Sequence, residues 1–248
     1  MATLATVVAM VFVSLVLSGV ALPYRAGLQT VLVMGGVGLL VRHVTGVRAS
    51  VGAVTLRIVL ASLAVGAAMA IAGNGLMGVI VSFFPEGSPW IEQRELVYRS
   101  LLRPDEPSLI PWIILCVAVA PALFEEFFFR GVVRELVPVR GRVVVVGALF
   151  ALAHIDPLGL LPLFAFGCVL TWMAERTWGW GSAVPAHFAL NLLNAVVWVR
   201  LVPSTPPVLP SLGLLVAGSI ALGGSMYLLH RAVGRGPNGA STSPRVRQ

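Results

Sequence analysis

Six side chains in an otherwise apolar sequence have the types and spacing for hydrolysis. Glu125 and Glu126 stand side by side in APALFEEFFFR, 120–130, with Arg130 four residues after the second glutamate. His154 closes FALAH at 150–154, and His187 and Asn191 open and close HFALN at 187–191. An ionisable group at the centre of a membrane span costs about 2.5–3.5 kcal/mol on insertion scales and marks a functional site by default. Glu126 and Arg130 are spaced i, i+4, so they can pair on one helix face. His187 and Asn191 share that spacing and point into one cavity. The ion pair takes one glutamate and leaves Glu125 for chemistry, although spacing alone allows the reverse.

A carboxylate removed from water is an effective proton acceptor near neutral pH. Glu125 is therefore expected to deprotonate a water, and His154 to hold that water or share the proton. His187 and Asn191 are expected to donate hydrogen bonds to the developing oxyanion of a peptide carbonyl. No serine or cysteine stands beside a histidine as an obvious nucleophile pair, so an activated water is preferred over a covalent route. Glu125, His154 and His187 with a water also match a catalytic zinc set. HExxH is absent, and an asparagine one turn after His187 suits a hydrogen-bond donor better than a ligand. The expectation is no cofactor, with zinc as the alternative. Taken singly, the pair Glu126–Arg130 is equally a buried tie between helices, and each histidine an interhelical hydrogen bond.

The elements that must position these groups follow from composition. The 248 residues are 58% hydrophobic and 11% charged, against about 25% charged in soluble domains. The chain is expected to be an all-α polytopic membrane protein, a single domain over 1–233 with a disordered cytoplasmic tail at 234–248. A span takes about 20 apolar residues. Apolar runs suggest eight helices near 2–22, 27–41, 57–84, 108–136, 142–155, 158–176, 181–200 and 210–231, around a membrane-embedded polar cavity. The first run lacks a charged leader and is read as a span rather than a signal peptide. VPSTPPVLP at 202–210 reads as a Pro-rich turn. Residues 85–108 carry Trp90, Val97, Leu101 and Ile91, Tyr98, Leu102 at helical spacing, which fits a helix lying in the interface or an ordinary connecting helix. Cys116 and Cys168 lie in apolar runs without framework spacing, and no disulfide is expected.

All 17 basic residues are arginine and the net charge is +7. Their positions at the ends of apolar runs point to membrane topology rather than nucleic acid. Arg42, Arg48, Arg57, the group from Arg130 to Arg142, Arg176 and the group from Arg231 to Arg247 fall on one side. Arg25, Arg94, Arg99, Arg103 and Arg200 fall on the other. That excess places both termini in the cytoplasm, and the arginine-only usage fits a GC-rich bacterial inner membrane. At about 1.5 Å per residue, Glu125 and His154 lie about 16 and 18 Å from the turn joining helices four and five, and His187 and Asn191 about 10 and 16 Å into helix seven. The two glutamates, both histidines and Asn191 can therefore meet at one level of the bilayer, and this convergence weighs against a merely structural role.

The motifs also carry a resemblance. EEFFFR at 125–130 is similar to the EExxxR signature of the CPBP family of CAAX proteases and bacteriocin-processing enzymes, FALAH to its FxxxH motif and HFALN to its HxxxN motif. The order and spacing match over roughly 108–200. The resemblance implies an eight-span intramembrane glutamic endopeptidase. In it Glu125 and His154 activate water, His187 and Asn191 form the oxyanion site, and Glu126 and Arg130 support them. It strengthens the reading without metal.

The expected function is hydrolysis of a peptide bond in a membrane-anchored or lipidated substrate: a prenylated CaaX tail, a bacteriocin-like peptide or a C-terminal sorting tail. A proton- or ion-coupled transporter is the competing class, and no internal repeat supports it. A non-enzymatic membrane scaffold is the third. The short fifth helix, ending before Asp156-Pro157, lets water reach the site from the outer side, whereas the arginine count and the resemblance favour cytoplasmic access.

Overall fold

The computed structural model describes residues 19, 22–85, 87–102, 109–200 and 208–234, and among these every regular element is a helix. The run expected at 2–22, apart from Gly19 and Leu22, and residues 235–248 of the expected tail lie outside the described residues. The other seven expected runs each coincide with a helix, and the segment expected at the interface forms an eighth.

α1 runs from Leu22 to Thr45 and changes to π geometry over Thr30–Gly35. Gly46 ends it with φ 69, its N–H bonding the Arg42 carbonyl at 2.9 Å, the left-handed stop that glycine adopts without a Cβ penalty. α2, Leu56–Val81, starts at Thr55, whose hydroxyl accepts from the Ile58 N–H at 3.3 Å, capping one of the unpaired donors of the first turn. α3, Pro89–Leu102, is the interface candidate: Ile91 and Tyr98 pack inward while Trp90, Leu96 and Val97 are exposed.

α4, Ile110–Leu136, is composite: π geometry over Ile114–Val119 and again over Phe127–Val133 brackets an α-helical Ala120–Glu126. Wide turns of this kind often sit at functional sites, and here they flank both glutamates. α5, Arg142–Ala153, has 12 residues, about 18 Å at the helical rise. α6 is Leu160–Arg176, α7 Ala183–Arg200 and α8 Val208–Gly234. The start of α8 takes Val208–Pro210 out of the expected turn, and its last residue, Gly234, out of the expected tail. Four of these helices, those at Tyr24–Thr45, Leu56–Val81, Ile110–Leu136 and Val208–Gly234, are long and apolar enough to cross a membrane.

Small residues set the packing, as is usual where lipid removes the hydrophobic drive between helices. A Cβ on Gly66 would stand 2.0 Å from the Ala186 carbonyl oxygen, so α2 and α7 touch backbone to backbone. Gly75 and Gly218 bring α2 and α8 equally close, and Gly147 and Gly167 do the same for α5 and α6. At the end where α1 stops, Gly52, with φ 76, lets residues 50–53 run against 177–181: Ala53 N–H bonds Thr177 O at 2.9 Å and Gly181 N–H bonds Val51 O at 2.8 Å. Arg134 and Arg142 pair with Glu135 and Glu175 at the start of α5 and the end of α6. At the other end of α5, Arg94 of α3 reaches Asp156 at 3.2 Å.

Candidate active site

Glu126, Arg130 and His187 form the deepest part of a buried polar cluster. Glu126 Oε1 accepts from Arg130 Nη1 at 2.9 Å and from His187 Nδ1 at 2.8 Å. Arg130 Nη2 donates to the Gly167 carbonyl of α6 at 3.1 Å, and its guanidinium stacks 4.5 Å from the Phe150 ring centroid. The expected i, i+4 ion pair is present, and its arginine ties α4 to α5 and α6 at once. Gly167 is the reason α6 can approach: its Cβ position lies 2.8 Å from the Gly147 backbone.

Glu125 sits one residue earlier and faces the two imidazoles. Its Oε2 is 3.8 Å from His154 Nε2 and 4.0 Å from His187 Nε2. That oxygen is buried and has no hydrogen-bond partner among the described residues. Glu126 Oε2 and Arg130 Nε in the same cluster share that condition, and Glu125 Oε2 differs from them in facing both imidazoles.

The second nitrogen of each histidine is fixed. His154 caps the end of α5, and its Nδ1 lies 2.8 Å from the Phe150 carbonyl one turn back. A carbonyl only accepts, so Nδ1 carries the proton and Nε2 of the neutral ring is left as an acceptor towards Glu125. His187 Nδ1 likewise donates to the Glu126 carboxylate. Its Nε2 can therefore donate to a ligand only when the ring carries both protons, a condition the spacing did not reveal. Asn191 Nδ2 donates to the Val117 carbonyl, in the first π segment of α4, at 3.2 Å. That bond orients the amide and leaves its second N–H free.

Exposure gives the cluster a direction. Side chains of Arg130 and Glu126 are 0% exposed, His187 3%, Glu125 11% and His154 31%. Access opens at the end of α5, where Ile155 takes φ 50 and Asp156 meets α3. A β-branched residue at positive φ is a genuine outlier, and strain of this kind gathers at functional sites.

The zinc alternative can be tested on this geometry. Ligands of a tetrahedral zinc at 2.0–2.1 Å stand about 3.3 Å apart. The 3.8 and 4.0 Å separations from Glu125 Oε2 are wider than that shell. Among the described residues no three His, Cys, Asp or Glu side chains are grouped to hold a metal ion. The same gaps accommodate a water hydrogen-bonded to both sides.

Glu125, Glu126, Arg130, His154 and His187 are thus brought together, and Asn191, one turn beyond His187 on α7, is tied to the Val117 carbonyl. Sequence reasoning missed the supports: the Phe150 carbonyl and ring, the Gly167 carbonyl and the Val117 carbonyl. Phe150 alone had a signal, as the first residue of FALAH; backbone carbonyls leave none in sequence.

In comparison with known proteins, residues 107–193 match the family described as Type II CAAX prenyl endopeptidase Rce1-like. No curated protein and no solved structure matches the chain. The matched segment contains Glu125, Glu126, Arg130, His154, His187 and Asn191.

Proposed function

We propose, from the match of residues 107–193 to the Type II CAAX prenyl endopeptidase Rce1-like family, that this integral membrane protein is a peptidase, that Glu125 is its general base and that the bond cut belongs to a lipid-tailed, membrane-bound peptide. The single observation that carries the reading is the buried Glu125 Oε2 set 3.8 and 4.0 Å from the Nε2 atoms of His154 and His187. In the proposed cycle a water lies between Glu125 Oε2 and His154 Nε2, and both groups accept its protons. Glu125 takes one proton as the water oxygen bonds to the peptide carbonyl carbon. The carbonyl oxygen becomes an oxyanion, stabilised by Asn191 Nδ2–H and by doubly protonated His187, whose Nδ1–H rests on Glu126. Collapse re-forms the carbonyl and breaks the C–N bond, and the proton held by Glu125 passes to the departing amine. Arg130 balances Glu126 throughout, and no metal takes part.

The lipid tail would stay in the bilayer while the peptide reaches the cluster from the α3 end. We assign the protein to a bacterial inner membrane with both termini cytoplasmic, from arginine placement. The test is cleavage of a quenched, lipid-tailed peptide library by the purified protein beside Glu125→Gln and His154→Ala, each with and without chelator. Removal of a general base is expected to lower kcat by at least about 10²-fold for Glu125→Gln, with chelator harmless. Full activity of Glu125→Gln would refute the assignment, and loss with chelator would move Glu125, His154 and His187 into a zinc site.

A further inference from the structure

Two asparagines outside the motifs extend the polar face of α7. Asn194 lies seven residues after His187, so it is rotated by only about 20° from it, closer than Asn191 at about 40°. It stands about 10 Å further along the axis than His187 and about 4.5 Å beyond Asn191. Its partner is Asn74 of α2, whose Nδ2 donates to Asn194 Oδ1 at 3.0 Å and to the Ala70 carbonyl at 2.8 Å. The two side chains are half-buried. Asn194 Nδ2 and Asn74 Oδ1 make no hydrogen bond among the described residues. One donor and one acceptor are thus held side by side, beyond the cluster and towards the end where it opens.

An interhelical tie would need only the bond already made, and polar groups inside membrane helices face the bundle or a wet cavity rather than lipid. The unused donor and acceptor match the paired C=O and N–H of a peptide backbone. An extended chain advances about 3.3 Å per residue. A peptide whose reacting carbonyl lies between His187 and Asn191 therefore brings its backbone level with Asn194 two to three residues away. We infer that Asn194, fixed by Asn74, is a positioning residue that hydrogen-bonds the substrate backbone two to three residues from the bond to be cut. This rests on the proposed peptidase function and names the part of the substrate that the same site reads.

The experiment uses the full chain, in vesicles, with a lipid-tailed peptide series shortened residue by residue from each end. Wild type is compared with Asn194→Leu and with Asn74→Leu/Asn194→Leu, which leaves no orphaned amide. Loss of one or two hydrogen bonds should raise KM about 3- to 10-fold with kcat within about twofold. That factor should vanish once the series has been shortened by three residues from one end. Because the ratio between long and short peptides is taken within one preparation, loss of folded protein cancels. An unchanged KM, or the same factor at every length, overturns the inference, the latter leaving Asn194 as a structural tie. If Glu125→Gln cleaves like wild type, the peptidase reading fails first; if it is inactive while the asparagine variants match wild type, only the inference fails.

Discussion

Replacing Arg130 by methionine is the sharpest probe of the buried cluster. The side chain is fully buried, so solvent does not screen its loss. The substitution leaves Glu126 with His187 as its one remaining polar contact and removes a guanidinium stacked on Phe150. The Gly167 carbonyl is not orphaned, because Thr171 Oγ1 also donates to it at 2.7 Å. The cost is therefore set by the stranded carboxylate. Breaking a buried ion pair costs about 3–5 kcal/mol, and the surviving His187 bond places this case near about 3 kcal/mol. Glu126→Gln/Arg130→Met removes both charges while the Gln oxygen still accepts from His187, so its expected loss is about 1 kcal/mol, about 2 kcal/mol less than that of the single variant. Reversible unfolding in mixed micelles, followed by helix content, measures both variants. A single variant within about 0.5 kcal/mol of wild type, or a double variant no better than the single, would refute the reasoning that Arg130 neutralises Glu126. Activity should fall in both variants, since the Phe150 ring beneath Arg130 belongs to the residue whose carbonyl holds His154.

Gly66→Ala forces a methyl to 2.0 Å from the Ala186 oxygen; α7 must shift, and a stability loss of about 1–3 kcal/mol should appear together with a fall in kcat, measured by the same unfolding and peptide assays. Asp156→Asn weakens the partly buried link to Arg94, and kcat is expected to fall severalfold with little change in melting temperature, because the loop that ends at this link begins at His154. Asn191→Ala removes one proposed oxyanion donor and should reduce kcat by about 10²-fold at unchanged KM; a change confined to KM would place Asn191 in binding instead.

The cluster was legible because its members are the costliest residues a membrane helix can carry, so each appears in sequence as an exception. Helical periodicity then paired Glu126 with Arg130 and put His187 and Asn191 on one face. Helix positions were legible from apolar runs, because bilayer length and helical rise leave few choices. Three things were hidden. The π segments on either side of Ala120–Glu126 depend on how α4 packs against α1 and α7, and local residue types do not encode that. The protonation demand on His187 follows from its contact with Glu126, 61 residues away in sequence. Asn74 and Asn194 are uncharged and stand outside all three motifs, and their bond joins residues 120 apart in sequence. A search for every amide within an apolar run would have found both.

The brevity of α5 has a consequence for the surrounding lipid. A helix of 12 residues covers about 18 Å of a hydrocarbon layer about 30 Å thick. On that flank the bilayer must thin or admit water, and either response brings the headgroup boundary towards His154. Elastic strain in the lipid would then act as part of the entrance, and it grows with membrane thickness. The same protein should therefore turn over more slowly in long-chain than in short-chain lipid vesicles, with no residue changed.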